Sequence, residues 1–339
     1  MEERQNLILK AIIDHYIKKQ EPVSSRTLLR DYNLPISSAT VRNNMNKLEE
    51  KGYIERAYSS AGRTPTPKGY RFFVNWLLEL SEVIQQDSFQ VIESYQMKYF
   101  DIDDLLQHTA LLLANTTEVV GFVIPPQLEE TKFDYVTITS QRPQAVLVVI
   151  VSDLGFIESG ITELEEHLSI DEIDEATAVI NYNFHGMKLE DLRTLAYGKD
   201  HEGWHSKAVS SIMIVLGNLL KRKLHRHIYC EGIYNMVKKA EGITAEESLR
   251  NLTGLIELID DEGSFIEAIT EIRQGQTGIV ASIGDYPLAD ISDYAIITAD
   301  YGTHAGVLGA IGPLWMDYAK AVSATSYFAQ RLKGVLTTT

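Results

Sequence analysis

Residues 22–71 read PVSSRTLLRDYNLPISSATVRNNMNKLEEKGYIERAYSSAGRTPTPKGYR, and the fold is decided there. Ser24 or Ser25 can cap a short helix running to about Arg30, because a serine oxygen accepts an otherwise unpaired N–H of the first turn. Residues 31–35 make a turn, and Ser37 or Ser38 can cap a second helix. In that helix Val41, Met45 and Leu48 recur at i, i+4 and i+7, so one face is buried. The opposite face presents Ala39, Arg42, Asn43, Asn46 and Lys47, with Thr40 at its edge. Gly52 stops the helix. Residues 53–57 alternate like a strand, 59–63 form a small polar turn, and 64–66 return as a second strand. Thr66 and Pro67 then open a further helix, with proline where its missing N–H costs nothing. Two short helices followed by a hairpin read as a winged helix-turn-helix.

Charge gives this module a partner. Residues 24–72 hold nine Lys/Arg and four Asp/Glu, a local net of +5, whereas the whole chain carries −16 and the remainder therefore −21. Contacts to phosphates need local positive charge, because counterion release supplies much of the affinity for DNA. An acidic body disfavours coating of DNA elsewhere on the surface. Short polar and bidentate side chains near a helix N-terminus suit base edges in the major groove. The residues expected to meet double-stranded DNA are Ser25, Arg26, Ser38, Ala39, Thr40, Arg42, Asn43, Asn46 and Lys47 from the helices. The hairpin adds Ser59, Ser60 and Arg63, and the helix after it adds Lys68 and Arg71. Gly62 and Pro65 flank Arg63, so the loop is expected to approach the duplex closely.

Three separated stretches, EPVSSRTLL at 21–29, SSATVRNNMNKLEEKGYI at 37–54 and SSAGRTPTPKGYRFFV at 59–74, closely resemble the N-terminal domain of the HrcA family of bacterial heat-inducible transcription repressors. The late stretch IGPLWMDYAKAV at 311–322 resembles the family's final motif. It departs at Leu314 and Trp315, where the family usually has Thr-Arg, and Tyr58 stands where a histidine is common. The resemblance implies a winged helix, a GAF-like α+β domain and an inserted dimerisation domain. It also implies repression of chaperone operons from an inverted-repeat operator, a homodimer, and a GroE chaperonin that maintains the active form.

The rest of the chain accommodates that layout. An amphipathic helix over 2–20 buries Leu7, Ile8, Ala11, Ile12 and Tyr16. Residues 67–98 are helical with a break near Asp87, and residues 101–118 form another helix. Strands are expected at 119–124, 133–140, 145–152 and 155–162, then at 277–283, 294–299 and 302–311, with a closing helix over 313–334. A mostly helical stretch of about 163–272 lies between the two groups, its longest helix near 203–240. The expected fold is therefore α+β and multidomain: winged helix-turn-helix 1–80, helical connector 81–100, GAF-like domain 101–162 with 273–339, and an inserted, mostly helical dimerisation domain 163–272. One sheet interrupted by the insert is the simplest account.

Other patterns carry less. Cys230 is the single cysteine, so neither a disulfide framework nor a cysteine-based zinc site is expected. His201 and His205 share a helix face at i, i+4 and His225 and His227 lie two apart, but no acid or cysteine completes a ligand set. Lys221, Arg222, Lys223 and Arg226 read as a solvated helix face, with salt bridges between subunits as the next choice. The tract YGTHAGVLGAIGP at 301–313 lacks the lysine of a phosphate loop and reads as a closely packed strand or a bulge; its His304 has no obvious Ser/Asp partner. No nucleophile–base–oxyanion set presents itself, so neither an enzyme nor a cofactor is expected. No apolar run reaches the length of a membrane span and the first residues lack a signal-peptide core, which points to a cytoplasmic protein. A ligand-sensing GAF-type regulator is the alternative to a repressor governed by dimerisation. A polar, concave pocket in the α+β domain would distinguish them.

Overall fold

The computed structural model describes residues 2–57, 62–81, 102–126, 131–142, 145–155, 157–164, 167–197, 206–223, 228–240, 245–284, 293–302 and 306–336. The chain opens with helices α1 (Glu3–Lys19), α2 (Ser25–Tyr32) and α3 (Ser38–Glu50), a hairpin of β1 (Ile54–Arg56) and β2 (Arg63–Pro65), and α4 (Pro67–Ser81). Leu7 is exposed, and Leu9 and Ile13 are buried with Ile8, Ala11 and Ile12. Helix α1 is covered by α3 on one side and by β2 and α4 on another, so its buried arc is wider than the single stripe expected from sequence.

Five antiparallel strands form the main sheet in the order β7 (Tyr229–Glu231), β3 (Val120–Ile124), β10 (Gly306–Pro313), β9 (Tyr294–Tyr301) and β8 (Ile279–Ile283). Val123, Leu308 and Tyr301 share a core with α5 (Ile102–Thr117) and α12 (Tyr318–Leu336). Phe122 turns the other way and meets Phe265 of α11 (Glu262–Arg273) edge-on at 5.1 Å. Such a pair contributes roughly 0.5–1.5 kcal/mol beyond its buried area. Helices α9 (Ile233–Ala240) and α10 (Ala245–Asp260) complete that side. Arg273, buried at the end of α11, bonds Thr298 Oγ1 and Asp300 on β9 and the carbonyls of Gln276 and Gly278, tying helix to sheet.

The expectation of one interrupted sheet is corrected here. Strands β4 (Phe133–Arg142), β5 (Ala145–Ser152) and β6 (Ile157–Glu163) make a separate three-stranded sheet, with α6 (Ile170–Phe184), α7 (Leu189–Tyr197) and α8 (Lys207–Lys223) on one face. These elements have a core of their own, built from residues such as Phe133, Val148, Ile180, Leu192, Ile212 and Leu216. Packing thus groups β4–β6 with the helices that follow them, and α9–α11 with the main sheet. Asn181 of α6 donates to Val136 O and accepts from Val136 N, closing the outer edge of β4. The long helix expected over 203–240 ends at Lys223 instead. The chain then contributes β7, the edge strand beside β3, before α9. Residues 82–101, which include nearly all of the expected connector, lie outside the described residues.

The head packs on the body. Tyr70 of α4 meets Tyr318 of α12 at 5.6 Å, and Leu314 and Trp315 lie half-buried against the same core. The glycine tract is a close-packing device, since a Cβ at Gly309 would strike the Ile297 carbonyl and come within 2.7 Å of the Phe122 ring. Gly309→Ala is therefore expected to destabilise the protein by about 1–3 kcal/mol, the usual cost of overpacking. Thermal melting of the purified variant checks this, and an unchanged midpoint would mean that β9 and β10 can separate at no cost.

Candidate nucleic-acid interface

Serine caps build the two helices of the head. The Ser24 hydroxyl accepts the N–H of Thr27 at 3.2 Å and shares a hydroxyl–hydroxyl bond with Thr27 Oγ1. Ser37 treats Thr40 in the same way. The capping serines are thus Ser24 and Ser37, and Ser25 and Ser38 are the first helical residues. Asn44 points inward and donates to Thr40 O at 2.9 Å. Gly52, at φ +74°, adopts the left-handed conformation that lets the chain turn from α3 into β1. Thr66 joins the next helix by donating to Gly52 O and accepting from Gly69 N.

These contacts present one face of α3 to solvent. Val41, Asn44, Met45 and Leu48 are buried, whereas Ser38, Ala39, Arg42, Asn43, Asn46 and Lys47 are exposed and Thr40 is half-buried. On α2, Arg26 is exposed and Ser25 half-buried. A row of two cations and two amides on one side of a capped helix can offer donors and acceptors to base edges and charge to phosphates.

The hairpin lies differently from the expectation. Arg63 opens β2 instead of projecting from the tip, and its side chain is 14% exposed. Its backbone pairs with Val23 in both directions, at 2.9 and 3.0 Å. Its guanidinium bonds Glu49 and Asn46 on α3. Gly62 serves close packing inside the head, because a Cβ there would lie 2.6 Å from the backbone of Val23. Lys68 is exposed, but its ammonium donates to Lys51 O at 2.9 Å at the end of α3 and lies over the Tyr53 ring. Arg71 is half-buried. Ser59 and Ser60 lie outside the described residues, as does Tyr58. The contacts of Arg56, Glu49 and Lys51 were not anticipated: Arg56 donates to Glu49, and Lys51 donates to Gln5 of α1. The signal in the sequence is weak, since Glu49 is one of four acids in residues 24–72 and Glu50 stands beside it.

Behind α2 lies a polar cluster. Asp31 bonds Arg30 and Lys19, which together hold its carboxyl far below the usual carboxylate range. Tyr32 donates to Asp14 Oδ2 at 2.7 Å. The buried His15 ring lies beside them, its Nδ1 3.9 Å from Asp31. Burial, and then the charge of Lys19, lower the His15 pKa, opposed by Asp31, Glu21 and Asp14. His201, His205, His225, His227, His304 and Arg226 fall outside the described residues, as do the side chains of Lys221, Arg222 and Lys223. Among the described residues no group of three His, Cys, Asp or Glu is placed to hold a metal ion, and no helix is long and apolar enough to cross a membrane.

The family profile described as the HrcA protein C terminal domain matches residues 103–322, and a DeoR-like helix-turn-helix domain matches residues 9–65. The chain belongs to the HrcA family. A relative from Pelotomaculum thermopropionicum, called heat-inducible transcription repressor HrcA, is 31% identical across 99% of this chain and 97% of its own. One of the same name from Desulfitobacterium hafniense is 33% identical across 99% and 98%. A solved structure described as a hypothetical protein has the same fold, with a TM-score of 0.72 at 24% identity across 100% of this chain and 99% of its own. The HrcA family thus joins both ends of the chain, the head and the α+β body.

The lowered pKa of His15 makes a prediction about acid. The folded protein holds this ring neutral to a lower pH than the unfolded chain does, so between the two pKa values the unfolded state binds more protons. Its contribution to stability is complete above about pH 6.5, the unperturbed value, and is lost as pH falls below it. His15→Phe is expected to lessen the fall in melting temperature between pH 7 and pH 5. Equal falls in both proteins would take the ring out of the acid response.

Proposed function

We propose that this chain is a DNA-binding transcription repressor that reads an inverted-repeat operator at heat-shock (chaperone) operons as a homodimer. The observation that carries the reading is the exposed row Arg42, Asn43, Asn46 and Lys47 on a serine-capped helix beside an arginine-bearing hairpin. The heat-inducible repressor names of its relatives support the class of operon. We take the five-stranded unit as the GAF-like domain. The GroE chaperonin, implied by the family resemblance, is the proposed keeper of the active form. The ligand-sensing alternative is not favoured, because Arg273, the buried cation of that unit, is committed to Asp300, Thr298 and two carbonyls.

A dimer follows from the symmetry of an inverted repeat, since one winged helix reads one half-site. The sequence reading gave dimerisation to residues 163–272. The three-stranded sheet lies just before that range, in residues assigned from sequence to the GAF-like domain; it turns one face to α6 and α8, which fall inside the range, and the other to solvent. The outer face carries Tyr135, Leu147, Val149, Val151, Ile157 and Ile161, aligned across the three strands. Tyr135, Ile157 and Ile161 are exposed, and a contiguous apolar face of this kind marks a surface that is covered in use. This face is the proposed dimer contact.

Footprinting of the purified protein on the promoters of its own operon and of chaperonin genes tests the reading, and protection of a palindrome is expected. Arg42→Ala should weaken binding to the protected site by about 1–3 kcal/mol if the guanidinium contacts a base. It should leave the melting temperature unchanged, because the side chain is exposed. Unchanged affinity in the folded variant removes Arg42 from the interface.

Ile161→Lys should yield monomers in analytical ultracentrifugation. These monomers should bind DNA only at the roughly 10⁻⁴–10⁻⁶ M of non-specific contacts, because linkage of two heads supplies the rest. A variant that stays dimeric would place the contact elsewhere.

A further inference from the structure

Glu49 lies in the last turn of α3, and its carboxylate reaches both strands of the hairpin. Arg56 Nε on β1 donates to Oε1 at 2.8 Å, and Arg63 Nε on β2 donates to Oε2 at 2.9 Å. Arg56 and Arg63 are direct cross-strand partners, an arrangement of like charges that is unfavourable without a counter-charge between them. Glu49 supplies that charge and fixes the hairpin to the helix. Arg63 also donates from Nη2 to Asn46 Oδ1 at 3.3 Å. A guanidinium has donors only, so the amide oxygen of Asn46 faces the wing and its NH2 group faces away from it, on the exposed side of α3.

We propose that Glu49 is a positioning residue for sequence reading: through Arg63 it holds Asn46 with its amide NH2 outward, so that Asn46 reads a hydrogen-bond acceptor on a base edge. The acceptors of that kind in the major groove are O6 and N7 of guanine, O4 of thymine and N7 of adenine, the last beside the N6 donor. A bidentate pairing with adenine needs the amide oxygen as well, and Arg63 takes up one of its two lone pairs and turns it toward the wing, away from the NH2 side. The wing and the recognition helix therefore act as one rigid reader. The acid at position 49 limits attraction to random DNA and keeps the two arginines in place. This inference rests on the DNA-binding reading above.

The test uses the full chain, duplexes carrying every base at each operator position, a random duplex, and a series of salt concentrations. Wild type should prefer guanine or thymine at one position. Asn46→Ala and Glu49→Gln should both flatten the preference at that same position. Glu49→Gln should lower discrimination between operator and random DNA about tenfold, the size of one good base contact. Its affinity for random DNA should rise, since a negative charge leaves the basic face. Glu49→Asp keeps the carboxylate and should restore part of the discrimination. Arg63→Lys keeps the charge but loses the fork that holds Asn46, and should flatten the position without raising affinity for random DNA. It also serves as the second probe if Glu49→Gln folds poorly.

Equal loss of operator and random binding in Glu49→Gln, or a preference left intact in that variant, would overturn the proposal. So would a preference for adenine lost with Asn46. A wild-type chain that prefers no sequence would overturn the DNA reading itself. A wild type that discriminates while the Glu49 variants discriminate equally well would overturn only the role of Glu49.

Discussion

Strand β3 is the constraint on which the body depends. All five of its residues are buried, and it pairs on one side with β10 and on the other with β7. Both partners come from far along the chain: Phe122 lies opposite Cys230 and Gly309. Neither pairing can form until a long loop has closed, and closure costs entropy that grows slowly with loop length. The segment between β3 and β7 meets this constraint by folding on a core of its own, so its two ends return to the same sheet. An insertion of this length is tolerated there because it leaves from the end of β3 and returns as β7, which is hydrogen-bonded to β3. Burial on both sides of the sheet then excludes charge from β3, and its sequence, VGFVI, contains none.

Electrostatics separates head from body in a different way. The −21 carried outside residues 24–72 would repel a polyanion, so attraction is confined to one end of the molecule. Within the head the cations are not equivalent. Arg30 and Lys19 are held by Asp31, Arg56 and Arg63 by Glu49, and Lys68 by a carbonyl at the end of α3. The +5 counted from sequence is thus a sum over groups that mostly have protein partners. On the exposed face of α3, Arg42, Asn43 and Lys47 stand beside that web, and Asn46 is joined to it through Arg63.

The helices of the head were legible because their signals are local. Serine caps, a 3.6-residue apolar period and Gly52 lie within a few residues of what they determine, and the structure moved each cap by at most one position. Most strands were legible for the same reason, from β-branched runs between breaks. Their grouping into two sheets was not, because pairing is set by partners more than a hundred residues apart. Strand β7 was missed for a related cause: Tyr229–Glu231 is too short to show a period, and only its place beside β3 makes it a strand. At the interface, the outward row on α3 could be read from helical geometry. Arg63 was misplaced because a loop sequence does not reveal whether a cation points to solvent or back to Glu49. The acid had been counted only as a subtraction from the local charge.

The join between head and body bears on how one could govern the other. Helix α4 is fixed to the hairpin through Thr66 and to the end of α3 through Lys68, so its position sets the orientation of the reading helix. Its other side packs on β8 and α12, with Tyr70 against Tyr318. Burial raises the Tyr70 pKa far above the ordinary phenol range, as a ring enclosed between two units should show. Leu314 and Trp315, just before α12, lie half-buried against the same core. Apolar contact loses strength on cooling, whereas the hydrogen bonds inside the head are local. The junction rests on packing such as that of Tyr70 on Tyr318, and α2, α3 and the hairpin on caps and ion pairs of their own.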